Sequence, residues 1–417
     1  MDVARGWNVT SSPQSLRTIN PIQQITSKLD MKNVNKDKVM IPLSLGDPTV
    51  FGNMDTDDFL VESITKHAKT KRRNGYTTSP GFPDVRAKIA EKYKLPNHQQ
   101  LTQEDVMLAN GASGALDIVI AAIAGEGDNI LLPIPSFPLY ETLCCHRGIE
   151  PRFYQQVAEQ DWQVDLQQLE SQMDNRTKAI LVNNPSNPCG SVWSQEHMKQ
   201  IISIARNHCV PIIADEIYAN MVFGGAKFTY FAEISDDVPI ISINGIAKQY
   251  VVPGWRTGWL ILYDKLNYLK ELRDGLFRMT TLLLGPNTLS QAVIPDILDH
   301  DMSGFCNDLN KALESNAKFT CEKIKKIEGL TIFEPKGAFY TMVGIDVDRF
   351  SKSTQNVIFD DVSFSQELLK EESVFVLPGQ CFKMKNYFRI VFCAPVDKLK
   401  EAYDRIESFC NKKLKLN

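Results

Sequence analysis

Between about residue 105 and residue 262 the chain sets short apolar runs between amphipathic segments, and this pattern restricts its fold most. Asp128–Pro133 (DNILLP), Lys178–Asn183 (KAILVN), Val210–Ala214 (VPIIA) and Val238–Ile243 (VPIISI) are too short for buried helices and carry apolar residues on both faces. Strands of that kind are covered on both sides, as in parallel sheets whose crossovers are helices. Glu196–His208 has the periodicity of one such helix. The pattern predicts an α/β fold with a mostly parallel sheet covered by helices. Beyond about residue 300 the texture changes to a long amphipathic helix over Asn307–Ile327, alternating runs near Thr331 and Tyr340, and a last helix over Val396–Phe409. These predict a smaller α+β domain. The first 45 residues hold Pro13, Pro21 and Pro42 with little periodicity, which predicts an arm. At 417 residues, more than one core is expected. The predicted division is an arm and small-domain segment over 1–60, a large domain over 61–300 and a small C-terminal domain over 301–417.

Composition excludes several functions. A hydrophobic fraction of 43% and a charged fraction of 23% are ordinary for a folded chain. A formal net charge of -4, with no basic stripe, gives no reason to expect nucleic acid. No stretch reaches the roughly 18 apolar residues of a membrane span, and Met1–Thr10 lacks the apolar core of a secretory signal. The nine cysteines are odd in number, have no C-x-x-C pair and include the adjacent Cys144 and Cys145, so they are expected to be reduced. A cytoplasmic location is the expectation, with a mitochondrial one left open, and the triplets at Asn8 and Asn175 are then chance. The six histidines show no metal-ligand spacing with one another or with cysteines, so no metal is expected.

In an open parallel sheet, ligands bind beyond the carboxyl ends of the strands. After KAILVN comes Asn184-Pro185-Ser186-Asn187-Pro188-Cys189-Gly190, after VPIIA comes Asp215-Glu216-Ile217-Tyr218, and after VPIISI comes Asn244-Gly245-Ile246-Ala247-Lys248. Taken singly these are a turn, a helix cap and a surface charge. In succession they bring an amide, a carboxylate with a phenol, and an amine to one sheet edge. Asn110-Gly111-Ala112-Ser113-Gly114 opens an apolar helix running to about Ala124, a place where free backbone N–H groups and the helix dipole can hold a phosphate. A dinucleotide site is disfavoured, because G-x-G-x-x-G is missing and Gly125-Glu126-Gly127 follows a helix as a C-terminal turn.

Gly245-Ile246-Ala247-Lys248, continued to Val251-Val252-Pro253-Gly254-Trp255-Arg256, resembles the lysine signature of class I, fold type I aminotransferases, which use pyridoxal 5'-phosphate (PLP). With Asn184–Gly190, Asp215–Tyr218 and Ser44-Leu45-Gly46-Asp47-Pro48-Thr49, the chain is most similar to the tyrosine aminotransferase subfamily. The resemblance extends from Asn20-Pro21-Ile22 to the C-terminal helix. It implies that Lys248 bonds the cofactor and then moves the substrate proton, that Asp215 pairs with the ring nitrogen, and that Tyr218 and Asn187 hydrogen-bond the ring oxygen. Arg256 would grip the phosphate with Ala112 and Ser113, and Phe137 would stack on the ring. Tyr76 would reach the phosphate of a neighbouring subunit, implying a homodimer with shared sites. Arg389, with Asn187 and Gly46, would hold the substrate carboxylate.

The substrates implied are amino acids and 2-oxo acids: L-tyrosine, with phenylalanine, as donor and 2-oxoglutarate as acceptor, giving 4-hydroxyphenylpyruvate and glutamate. Pyruvate or oxaloacetate as acceptor, and methionine as donor, stay open. The chain departs from the wider class at Gly245, where many relatives place a phosphate-binding serine, and at Thr257, where an aliphatic is usual. Tyrosine aminotransferases commonly share the glycine; the sequence offers no account of Thr257. The alternatives are another fold type I enzyme, either a broad-specificity or alanine aminotransferase or a carbon–sulfur lyase, and a PLP-fold regulator, which would need a DNA-binding module that the Pro-interrupted N-terminus does not offer.

Overall fold

The computed structural model describes residues 9–351 and 358–415. Met1–Asn8, and with them most of the segment read for a targeting signal and the asparagine of the Asn8 triplet, lie outside the described residues. The described strands are β1 (Ile41–Pro42), β2 (Val106–Asn110), β3 (Asn129–Ile134), β4 (Glu150–Val157), β5 (Gln163–Val164), β6 (Thr177–Asn183), β7 (Ile212–Asp215), β8 (Ile240–Gly245), β9 (Thr257–Tyr263), β10 (Leu330–Ile332), β11 (Tyr340–Ile345), β12 (Val374–Phe375), β13 (Leu377–Pro378) and β14 (Tyr387–Val391).

The four apolar runs become β3, β6, β7 and β8, with ends shifted by one or two residues. They lie in an eight-stranded sheet of order β2-β9-β8-β7-β6-β3-β4-β5. β8, β7, β6, β3 and β4 are mutually parallel, whereas β9 is antiparallel to both its neighbours and β5 is an antiparallel edge. Ile180, Leu181, Ile213, Ile240 and Ile241 have no exposed surface, as strands covered on both faces require. β4, in which only Tyr154 and Gln156 are buried, escapes a search for continuous apolar runs.

Helix Gly111–Ile123 packs on this sheet at β9, and Gly258 is what lets it approach. A Cβ at Gly258 would lie 2.5 Å from the Ala112 nitrogen, closer than any side chain tolerates. The anion-binding end of that helix is thus fixed by a backbone contact.

The C-terminal part builds a four-stranded antiparallel sheet, β10-β11-β14-β13, flanked by helices Ser303–Ile324, Asp361–Glu372 and Val396–Lys415. The first begins and ends a few residues before the predicted Asn307–Ile327, and the last continues past Phe409. β1 pairs in parallel with β12, which ties the segment before residue 60 to this C-terminal sheet region. The predicted arm holds two short helices, Pro13–Arg17 and Pro21–Thr26, each with proline in its first turn and capped by Ser12 or Asn20. Gln14 and Thr18 each reach a ring nitrogen of His146 at 2.7 Å, docking the arm on helix Leu139–His146. All nine cysteines are free, no helix among the described residues is long and apolar enough to cross a membrane, and no described group of side chains is arranged to hold a metal ion.

Candidate active site

The carboxyl ends of β6, β7 and β8, the start of helix Gly111–Ile123 and the segment Ser44–Asp47 enclose a cavity of about 330 Å³. Among its lining residues are Gly46, Ala112, Ser113, Phe137, Asn187, Asp215, Tyr218, Lys248, Arg256 and Arg389. Every cavity residue proposed from the sequence is therefore brought together, with Tyr76 the exception.

Lys248 stands in the turn after β8, and its Nζ donates to the Gly46 carbonyl oxygen at 2.7 Å. Loss of hydration lowers its pKa to about 8, opposed by the negative charge of Asp47. About a tenth is then unprotonated at pH 7, far more than in an ordinary lysine, as a nucleophilic amine needs.

Asp215 ends β7 and is 4% exposed. Its Oδ2 accepts the Tyr140 hydroxyl at 2.7 Å and its Oδ1 the Ile217 N–H at 3.3 Å, so both oxygens are oriented. Burial raises its pKa to about 6, against the lowering effect of those two bonds and of Lys248. A carboxylate in that condition gains from a cationic partner, which would restore its charged form.

Tyr218 is buried, and its hydroxyl meets that of Tyr340 at 3.0 Å. Asn187 takes a hydrogen bond from Arg389 Nη1 through Oδ1 at 2.9 Å, and Arg389 Nη2 donates to the Ser44 carbonyl at 2.5 Å. The Arg389 guanidinium lies 4.6 Å from the Tyr340 ring centroid and 5.0 Å from that of Phe382. Its Nε is buried without a partner among the described residues, a donor that a carboxylate could satisfy.

At the other end, Arg256 donates to the Pro253 carbonyl at 3.0 Å, and a Cβ on Gly111 would come within 2.9 Å of its Nη2. Gly111 has φ +74°, so this close approach of guanidinium to helix start needs glycine. Asn110 makes no side-chain cap bond, and the first N–H groups of the helix have no intrahelical acceptor, so they and Arg256 form a cradle for an anion. Phe137 is half-buried beside the cavity, edge-on to Tyr140 at 5.8 Å.

Both departures noted in the sequence have geometric causes. A Cβ at Gly245 would lie 2.8 Å from the Thr257 carbonyl oxygen and 2.9 Å from Gly258 Cα, so serine would push β8 from β9. Thr257 is fully buried, and its hydroxyl bonds Ser290 Oγ at 2.7 Å, tying the start of β9 to helix Thr288–Asp299. Its neighbour Arg256 is thereby held against the anion cradle.

A depressed amine, a buried carboxylate in want of a cation, an anion cradle at a helix start and a guanidinium with an unpaired donor suit a phosphorylated aromatic aldehyde and an amino acid together. Those are the requirements of a PLP enzyme. The profile of the family Aminotransferase class I and II matches residues 38–406. The tyrosine aminotransferase of Dictyostelium discoideum is 44% identical over 97% of each chain. That of Homo sapiens is 41% identical over 97% of this chain and 88% of its own. The crystal structure of tyrosine aminotransferase from Leishmania infantum superposes with a TM-score of 0.92 at 33% identity, covering 98% of this chain and 99% of that one. The chain belongs to the class I and II aminotransferases and is a PLP-dependent enzyme of the fold type I class.

Tyr76 does not line the cavity and is 92% exposed. Sequence reasoning missed Tyr140 and Tyr340. Tyr140 had a usable signal, three residues after Phe137 on the helix that follows β3 at the ligand edge. Tyr340 had none, because it meets the site only through the pairing of β11 with β14.

Proposed function

We propose that this aminotransferase takes L-tyrosine, with L-phenylalanine as a second donor, and passes the amino group to 2-oxoglutarate, giving 4-hydroxyphenylpyruvate and glutamate in the catabolism of aromatic amino acids. The observation that carries the donor is the apolar end of the cavity. Leu377 is the register partner of Arg389, Leu45 follows the Ser44 carbonyl that Arg389 binds, and Ile22 packs against the Leu377 cluster. All three line the cavity. Among the described residues its lining cations are Lys248, Arg256 and Arg389, each with another task, so a donor side chain beside Arg389 meets hydrocarbon. The names of the relatives support the same reading, and 2-oxoglutarate follows from the family resemblance.

PLP, when bound, supplies an electron sink for bond breaking at the substrate α-carbon. Lys248 would carry it covalently and, once released, take the α-proton and return it on the other side of the exchange. Asp215 would keep a proton on the ring nitrogen; Tyr218 and Asn187 would donate to the ring oxygen. Arg256, Ala112 and Ser113 would hold the phosphate, and Phe137 would cover the ring face. Arg389 would grip the α-carboxylate through its fork, with Gly46 alongside, fixing which bond faces Lys248. We infer in addition a cytoplasmic homodimer in which Tyr76, exposed in one protomer, reaches the phosphate of its partner, and a division near residues 60 and 300.

The test is the visible spectrum of PLP-loaded enzyme given tyrosine without any oxo acid, with chromatography of the product and kcat/KM for each donor and acceptor. Loss of the band with release of 4-hydroxyphenylpyruvate is expected. Alanine or aspartate far preferred over tyrosine would reject the donor, and ammonia or thiol release would mark a lyase. Light scattering on the eluting protein tests the dimer.

A further inference from the structure

We propose that Tyr340 is a positioning residue that links the substrate-carboxylate clamp Arg389 to Tyr218, the phenol facing the cofactor ring. Tyr340 opens β11 opposite Val391, and Met342, two residues on, faces Arg389, so Tyr340 and Arg389 are diagonal neighbours on one sheet face. The guanidinium lies 4.6 Å from its ring centroid, its hydroxyl is 3.0 Å from that of Tyr218, and a Cβ on Gly46 would fall 2.7 Å from the same oxygen. One phenol therefore touches the clamp, the phenol at the cofactor and the segment whose carbonyl oxygens hold Arg389 and Lys248.

The direction of the phenol–phenol bond follows from counting hydrogens. A tyrosine hydroxyl has one proton to give. If Tyr218 gives its proton to the cofactor's ionised ring oxygen, the proton between the two tyrosines belongs to Tyr340. A phenol that accepts such a bond is a stronger donor in turn, and the cation over the Tyr340 ring strengthens the first donation. The charged and titratable groups facing the pair are Arg389, Asp215, Asp47 and Cys393. Of these Arg389 is the cation that a substrate carboxylate would neutralise.

The inference rests on the cofactor and not on the choice of amino donor, so its test uses PLP alone. The wild type, Tyr340→Phe, Tyr218→Phe and the double variant are loaded with PLP, and the pH midpoint of the visible band is titrated beside the Tm. Phenylalanine keeps the ring under Arg389 and removes only the hydroxyl. The expected result is an upward shift of about half a pH unit for Tyr340→Phe, a larger one for Tyr218→Phe, and no further shift when both are combined. An unmoved midpoint in Tyr340→Phe, or the same shift whether or not Tyr218 is present, would overturn the link and leave Tyr340 as a packing residue.

Discussion

The Tyr140 hydroxyl donates to Asp215 Oδ2 at 2.7 Å, from the first turn of the helix that follows β3. The carboxylate sits on β7, two strands away across β6, so the bond fixes its direction from outside its own strand. Tyr140→Phe removes one of the two bonds that orient Asp215. A hydrogen bond to a charged group contributes about 1.5 to 3 kcal/mol, so kcat/KM is expected to fall roughly 10- to 100-fold. Asp215→Ala removes the whole partner of the ring nitrogen and should cost about 3 to 5 kcal/mol. Steady-state kinetics and PLP affinity of the two variants, side by side, check the order.

Cofactor loading should report the Lys248 amine directly. With its pKa lowered to about 8, the neutral fraction of Lys248 rises about tenfold from pH 6 to pH 7 and levels off above about pH 9. An ordinary lysine near 10.4 would keep gaining to higher pH. The rate at which apoenzyme recaptures PLP, followed by the visible band, is expected to trace the first curve. Lys248→Ala should give no band of this kind and no turnover.

Arg389 binds Asn187 and the Ser44 carbonyl through its two terminal nitrogens and leaves Nε without a partner among the described residues. Arg389→Lys keeps the charge but cannot present a planar fork. KM for amino acid and oxo acid should rise together, by about tenfold or more. A rise for only one of the two substrates would mean that they do not share this clamp.

The legibility of this chain followed the range of each interaction. β3, β6, β7 and β8 could be read because burial on both faces leaves a continuous apolar run, and the residues after them could be read because ligands gather at that edge. β4 could not, since six of its eight residues are at least partly exposed. Lys248, Asp215 and Arg256 were found through local motifs. Tyr340 reaches the cavity through a strand pairing, 92 positions from Lys248 in the chain, and no spacing rule marks it. Thr257 looked anomalous only because its partner, Ser290, lies on a helix 33 positions away.

Glu216 follows Asp215 and points the other way, into the interior. Its Oε1 accepts the Phe231 N–H at 2.9 Å, and Oε2 takes the Ser242 hydroxyl. Burial raises its pKa to about 8, with the charge of Asp215 adding to the effect and the two hydrogen bonds opposing it. Between the ordinary value of 4.5 and about 8 the folded chain keeps a proton here that the unfolded chain has lost. Stability from this group is therefore full below about pH 4.5 and falls as pH rises to about 8. Glu216→Gln has nearly the same shape and no such proton. Its Tm should match the wild type near pH 4.5 and exceed it by a growing margin up to pH 8, in differential scanning calorimetry of the two apoenzymes. A constant gap across that range would show that Glu216 is already ionised in the folded chain, and that its charge is balanced where it lies.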